Sequence, residues 1–321
     1  MLKEISIEIT RKCPNCCLHC SSDSHAQCGE IMPYSTFKEV VSDVAKLGAK
    51  TICLSGGEPF LHDSIADMIQ LVRHYHMNCF IYTSGIILDP ADQPASIPID
   101  TLRQISKNVT KLIFNIEAGT EKTYNLIMGT EHCFEKMQKS VTDAVTFGIC
   151  TEAHFVPTAI NITEINAVIS LCQKLQISKL SFLRLVLHGR AKKNREILEL
   201  TDGKSMQLKE KLLDIQTHSD MPVRIGVPLS TGPSCHTCEA ANGKLNIKYD
   251  GEVFPCEVFK NYSMEKSLGD LKPDNIYHRS LFDIYQKSAY LARIRDFSKN
   301  FSDKCETCIG QYLIQKEEEK Q

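Results

Sequence analysis

From Ile5 to Ile9 apolar and polar side chains exchange places with a period of two, the pattern of a strand with one face buried. The period becomes helical over Ser35–Leu47, with Ser35 as a candidate N-cap and Gly48 as the stop. Strand-like stretches follow at Lys50–Leu54, Cys79–Thr83, Lys111–Ile116, Cys150–Val156 and Lys179–Val186. Helical stretches lie between them, at Asp63–Tyr75, through Gly129 to Phe147, and at Thr163–Leu175. The proline-bearing stretch Asp89–Pro98 is expected to be a loop. Strands alternating with helices call for parallel pairing and right-handed crossovers. Residues 1–220 therefore predict an α/β fold, a partial (β/α)6 barrel with its chemistry at the C-terminal ends of the strands.

Near residue 221 the texture changes. Pro222, Pro228 and Pro233 punctuate short segments, and Leu245–Tyr249 and Glu252–Pro255 flank Asp250-Gly251, a strong hairpin signal. A helix is expected over Arg279–Arg295, so residues 221–321 predict a small second domain of hairpin plus helix, with a charged end, Gln315–Gln321, that frays. Between the two parts, Gly189–Thr201 is rich in Lys and Arg and precedes a charged helix, Lys204–His218. A solvated face is the expectation for this basic stretch, with a site for an acidic substrate as the alternative.

A length of 321 residues accommodates one large domain and one small one. The formal net charge of −2 carries no basic excess for nucleic acid, and no long apolar run suggests a membrane span. A strand starts almost at Met1, with no secretion signal ahead of it. Fifteen cysteines, an odd number in tight clusters, point to metal in a reducing compartment, hence the cytoplasm.

Four of those cysteines lie in Glu8–Cys20, the sequence EITRKCPNCCLHC. Cys13, Cys17 and Cys20 stand in C-x3-C-x2-C spacing, and a loop of that size can turn three thiolates to one centre. Three soft ligands suit an iron–sulfur cluster with one iron left open; a zinc knot is the alternative. One βα unit later, Ser55-Gly56-Gly57-Glu58-Pro59 follows a strand, and its paired glycines let a backbone approach a ligand. Together these segments, with Glu8-x-Thr10-x-x-Cys13 as lead-in, resemble the radical S-adenosylmethionine (radical SAM) superfamily. The later set Cys238, Gly251-x4-Cys256 and Cys305-x2-Cys308 resembles the auxiliary iron–sulfur domain of its SPASM/twitch members, in the shortened form with one cluster. A zinc ribbon from the Cys235/Cys238 and Cys305/Cys308 pairs is the alternative, although it leaves Cys256 unexplained.

The resemblance implies that Cys13, Cys17 and Cys20 hold a 4Fe–4S cluster whose fourth iron is chelated by the methionine part of S-adenosylmethionine. It implies cofactor binding at Gly56, Gly57, Glu58 and Pro59, with Ser84 near the ribose and Asn115 near the methionine carboxylate. Asn115-Ile116-Glu117-Ala118 takes the place of the superfamily's Ser-x-Asp-Gly, and Met128 stands near the place of an arginine found in many relatives. Cys238, Cys256, Cys305 and Cys308 are implied for a second 4Fe–4S cluster, with Cys235 able to replace Cys238. The implied activity is reductive cleavage of S-adenosylmethionine to a 5′-deoxyadenosyl radical that abstracts hydrogen from a substrate. An external donor such as flavodoxin or ferredoxin would supply the electron. The leading substrate class is a ribosomal peptide or protein side chain; alternatives are a sugar or nucleoside, or a non-catalytic iron–sulfur binding protein. Cys16 is read as a bystander, and Cys53, Cys79, Cys150 and Cys172 as small core residues. Cys28 and Cys133 are minority candidates for a hydrogen-atom donor. Glu117, His154 and Arg184 are candidates for a polar pocket at the strand ends.

Overall fold

Nine strands form one open sheet in the computed structural model, which describes residues 1–226, 229, 238–261, 265–299 and 308–318. Cys235 and Cys305 lie outside the described residues. In chain order the strands are β1 (Glu4–Thr10), β2 (Thr51–Gly56), β3 (Asn78–Thr83), β4 (Ile86–Leu88), β5 (Pro94–Ser96), β6 (Lys111–Asn115), β7 (Thr151–Phe155), β8 (Lys179–Phe182), β9 (Val223–Ile225), β10 (Lys244–Ile247) and β11 (Val253–Phe254). The order across the sheet is β11-β10-β1-β2-β3-β6-β7-β8-β9, parallel throughout except for the β10/β11 pair. β4 and β5 form a separate antiparallel pair, Ile86 opposite Ser96, so part of the expected Asp89–Pro98 loop is a strand.

The alternation in β1 works as read. Ile5, Ile7 and Ile9 are fully buried in the apolar core, while Ser6, Glu8 and Thr10, buried on the opposite face, make polar contacts. Helices Tyr34–Lys46 and Ile65–His74 press Phe37, Val40, Val41, Met68, Ile69 and Val72 onto that core. The first helix starts at Tyr34 behind Pro33 with no side-chain cap, so Ser35 does not cap it. The expected helical run to Phe147 is two helices, Glu121–Met128 and Phe134–Thr146, because Gly129 takes the left-handed conformation, φ 63°, that ends the first. Similarly Leu281–Lys287 and Ala289–Lys299 replace a single helix, broken at Ser288, whose backbone is extended. The helix Ile309–Glu318 continues into the stretch expected to fray.

The larger departure lies at the sheet's edges. β9 pairs with β8, and β10 pairs with β1 in parallel register, Ile5 opposite Leu245. The predicted Asp-Gly hairpin does form, as β10 and β11, but it extends the barrel sheet instead of standing apart. After the hairpin and Cys256 the chain passes along β1, where Ser6 Oγ donates to Glu257 and Lys260 pairs with Glu8.

Candidate functional site

The loop after β1 is pinned along its backbone. Arg11 N–H donates to Glu30 O (2.9 Å), Cys13 N–H to His25 O (3.2 Å), Cys16 N–H to Met128 O (3.0 Å) and Leu18 N–H to Ile127 O (2.8 Å). The last two acceptors are available because a helix leaves its final carbonyls without intrahelical partners. Cys13, Cys17 and Cys20 line one cavity of about 220 Å³, together with Asn15 and His19. Cys16 is exposed and absent from that wall. A larger hollow of about 490 Å³, between Ala95–Ile99 and the helix Phe134–Thr146, contains no cysteine.

Polar atoms around this loop are left short of partners. Among the described residues, six of the eight buried side-chain nitrogen and oxygen atoms without a hydrogen bond fall between Glu8 and Ser24: Glu8 Oε2, Arg11 Nε, both amide atoms of Asn15, His19 Nδ1 and Ser24 Oγ. Each such atom costs about 1–3 kcal/mol, so their concentration marks a place that a further polar group completes. Burial raises the Cys13 thiol above its ordinary range, with the Glu58 carboxylate adding to the effect. Burial likewise raises Cys17, with Cys13 and Cys20 adding. The thiolate is the form that ligates iron, so iron entering this site has to displace those protons. Among the described residues no three His, Cys, Asp or Glu side chains stand close enough to grip a single ion, so the thiols are distributed around the cavity. The residues present fit an iron–sulfur cluster with a polar ligand beside it.

The glycine pair at the end of β2 does something more specific than approach a ligand. Gly57 N–H donates to Thr10 O (2.7 Å) and Glu58 N–H to Lys12 O (2.8 Å). A Cβ on Gly57 would stand 2.1 Å from Lys12 O, and one on Gly56 2.2 Å from Thr10 O. The glycines thus let this segment lie on the backbone of the first cysteine loop. Glu58 is fully buried and accepts from Thr83 Oγ1 (2.7 Å), Ser84 Oγ (2.7 Å), Ser84 N–H (2.9 Å) and Phe60 N–H (3.3 Å). Burial pushes its pKa up while these donors pull it back. Its carboxylate ties the end of β2 to the end of β3. Gly56, Gly57, Ser84 and Asn115 line the cavity; Glu58 and Pro59 do not, and Glu58 meets its wall through Thr83 and Ser84. Ser84 gives its hydroxyl proton to Glu58, and the Asn115 carboxamide has no hydrogen bond among the described residues.

Met128 also lines the cavity, its Sδ 3.8 Å from Cys17 Sγ. Four further residues escaped the sequence reading. Asn15 and His19 lie inside the ligand spacing, and His19 Nε2 is 3.3 Å from Glu117 Oε1. Arg190 sits in the basic stretch expected to be solvated, yet its side chain donates to Cys17 O (2.9 Å), Asp23 Oδ1 (2.9 Å) and Ser24 O (2.7 Å). Lys260 is buried against Glu8 and Ser22 Oγ. For Asn15 and His19 the signal was a polar side chain between ligands; for the lysine and arginine no local signal exists.

Of the second set, Cys238, Cys256 and Cys308 are partly buried near one another. Burial raises Cys256, with Cys308 and Cys238 contributing, and burial raises Cys238, with Cys308 contributing. Cys53, Cys79 and Cys172 are core residues as read, and burial takes the thiols of Cys79 and Cys172 to about 12. Cys28 and Cys133 are buried too. Cys150, expected in the core, is exposed, because it precedes β7 instead of lying within it.

A parallel open barrel with three thiols and a glycine shelf at one mouth defines a class, and the sequence comparison agrees: the model of the radical SAM superfamily matches residues 7–171, and that of the SPASM iron-sulfur cluster-binding domain matches residues 238–309. The chain belongs to the radical SAM superfamily and carries a SPASM domain. Its cofactors are accordingly S-adenosylmethionine and two iron–sulfur clusters, one in each part. It is 26% identical over 332 residues to the GTP 3′,8-cyclase of Clostridium perfringens (strain SM101 / Type A), covering 92% of this chain and 95% of the relative. It is 21% identical over 340 residues to the Fe-coproporphyrin III synthase of Methanosarcina barkeri (strain Fusaro / DSM 804), covering 94% and 79%. Among solved structures, Streptococcus suis SuiB bound to precursor peptide SuiA shares the fold with a TM-score of 0.74 at 17% identity, covering 94% of this chain and 69% of that one. No helix among the described residues is long and apolar enough to cross a membrane.

Proposed function

We propose that this radical SAM enzyme abstracts hydrogen from a peptide or protein side chain, with Cys13, Cys17 and Cys20 holding the first 4Fe–4S cluster. The carrying observation is that these three thiols, and not Cys16, share a cavity with Gly56, Gly57, Ser84 and Asn115. When bound, the cluster and S-adenosylmethionine supply reductive formation of a 5′-deoxyadenosyl radical. The chain's own residues bind and orient. The glycine shelf offers main-chain groups to the methionine end and Asn115 offers its carboxamide, while Ser84 lines the cavity with its hydroxyl held by Glu58 and Ile86 N–H. Residues 1–220 would carry this work. Residues 221–321 would hold the auxiliary cluster through Cys238, Cys256 and Cys308, with Cys305 as fourth ligand. An external electron donor such as a flavodoxin or ferredoxin completes the scheme.

The peptide reading is supported by the fold shared with a protein solved with its precursor peptide. The two sequence relatives named above, a nucleotide cyclase and a porphyrin synthase, favour the second reading, a small molecule. Deuterium transfer into 5′-deoxyadenosine from labelled candidates separates them, and label arriving only from a free nucleoside, sugar or porphyrin overturns the peptide reading. Anaerobic reconstitution should give about eight irons per chain, and about half in the Cys13/Cys17/Cys20 triple alanine variant. One tightly held zinc in the C-terminal part would sink the auxiliary assignment.

A further inference from the structure

The segment leaving β8 touches both cysteine sets. Arg184, two residues past the end of β8, donates from Nη2 to Cys308 Sγ at 3.0 Å. His188 Nε2 bonds to the main-chain oxygen of Val258 at 2.7 Å, two residues past Cys256. Arg190 Nε donates to the main-chain oxygen of Cys17 at 2.9 Å. Positive charge is gathered along this seam. His188 is held below the usual imidazole range by burial, against its bond to Val258, and then by the charges of Lys260, Arg184 and Lys192. Arg190 meets Cys17 only through its main-chain oxygen and otherwise holds Asp23 and Ser24, whereas Arg184 puts its guanidinium on the sulfur of a candidate ligand.

We propose that Arg184 sets the reduction potential of the auxiliary iron–sulfur cluster by donating a hydrogen bond to the sulfur of Cys308. The proposal rests on Cys308 being a ligand of that cluster. Reduction adds one negative charge, part of which resides on the ligating sulfurs. A fixed cation bonded to one of them stabilises the reduced form more than the oxidised form, so it raises the potential. The surroundings are partly buried, which strengthens the effect relative to water. Arginine does not lose its proton in proteins, so its contribution stays constant with pH. The contact also joins the C-terminal end of a barrel strand to the second cysteine set, fixing where the auxiliary cluster stands relative to the barrel mouth. Arg184 acts through the cluster and is a positioning residue.

The test is a redox titration followed by electron paramagnetic resonance on the full chain with both clusters loaded. The auxiliary signal is the one that S-adenosylmethionine leaves unchanged. Arg184→Gln should retain the wild-type iron content and show a lower auxiliary midpoint potential, by the same amount at pH 7 and pH 8.5, while Arg184→Lys should fall between the two. Full iron with an unchanged potential in Arg184→Gln overturns the proposal. If Arg184→Gln sheds auxiliary iron while Arg184→Lys keeps it and shows a lowered potential, the charge requirement stands. If both variants shed it, the contact is only structural and the proposal fails. Cys308→Ala tests the underlying assignment separately: full iron in that variant removes Cys308 as a ligand, whatever Arg184 does.

Discussion

At the scale of single residues, adjacent cysteines separate cleanly. Cys17 lines the cavity, whereas Cys16 is exposed with its N–H held by Met128 O. Cys17→Ala should abolish formation of 5′-deoxyadenosine and Cys16→Ala should retain it, as measured by chromatography of the reaction; the reverse result would reassign the loop. His154 gives a prediction in pH. Its ring lies 5.3 Å from that of Tyr82, tilted by 39°, and burial, with Arg224 adding to it, lowers its pKa from 6.5 to about 3. The unfolded chain therefore binds a proton below pH 6.5 that the folded chain refuses until about pH 3. Stability should fall as pH falls through that window, by up to ~1.4 kcal/mol per pH unit. His154→Phe should flatten this slope between pH 7 and pH 4.5 in thermal melts, and an unaltered slope would show that another group sets it. The ligand spacing was legible because each thiol had to be a cysteine. The inward turn of Glu58 was not, since its donors, Thr83 and Ser84, arrive from another strand.

At the scale of elements, the cavity depends on two segments lying one on the other. Gly57→Ala would drive a Cβ to 2.1 Å from Lys12 O, so backbone must move in the loop that presents Cys13. The expected cost is on the order of 2–3 kcal/mol, together with loss of iron from the first site. Equal iron content and melting temperature in Gly57→Ala and wild type would show that the loop has slack there. Most elements were readable from period alone, because an amphipathic helix or half-buried strand must repeat its apolar face. Boundaries failed where conformation overrode period: at Gly129, at Ser288, and in β5, whose partner is Ile86–Leu88.

For the whole molecule, the question is what joins the C-terminal part to the barrel mouth. Lys260 and Glu8 are both nearly fully buried and paired across 252 positions of sequence. Lys260→Met leaves a buried carboxylate unpaired, at a cost of about 3–5 kcal/mol, and adding Glu8→Gln should recover most of it. Denaturant unfolding of the single and double variants checks this. A single variant as stable as wild type would mean that Glu8 finds water or another partner. By itself the sequence determined the class of protein, since C-x3-C-x2-C, the glycine shelf and the strand–helix alternation are local patterns fixed by ligand chemistry and by burial of one face. The tertiary structure alone decided that β10 adds to the edge of β1, that Arg190 and Lys260 grip the first cysteine loop, and that Arg184 meets Cys308. Those contacts join residues more than a hundred positions apart, where no periodicity reaches and only the packing of the whole chain chooses the partner.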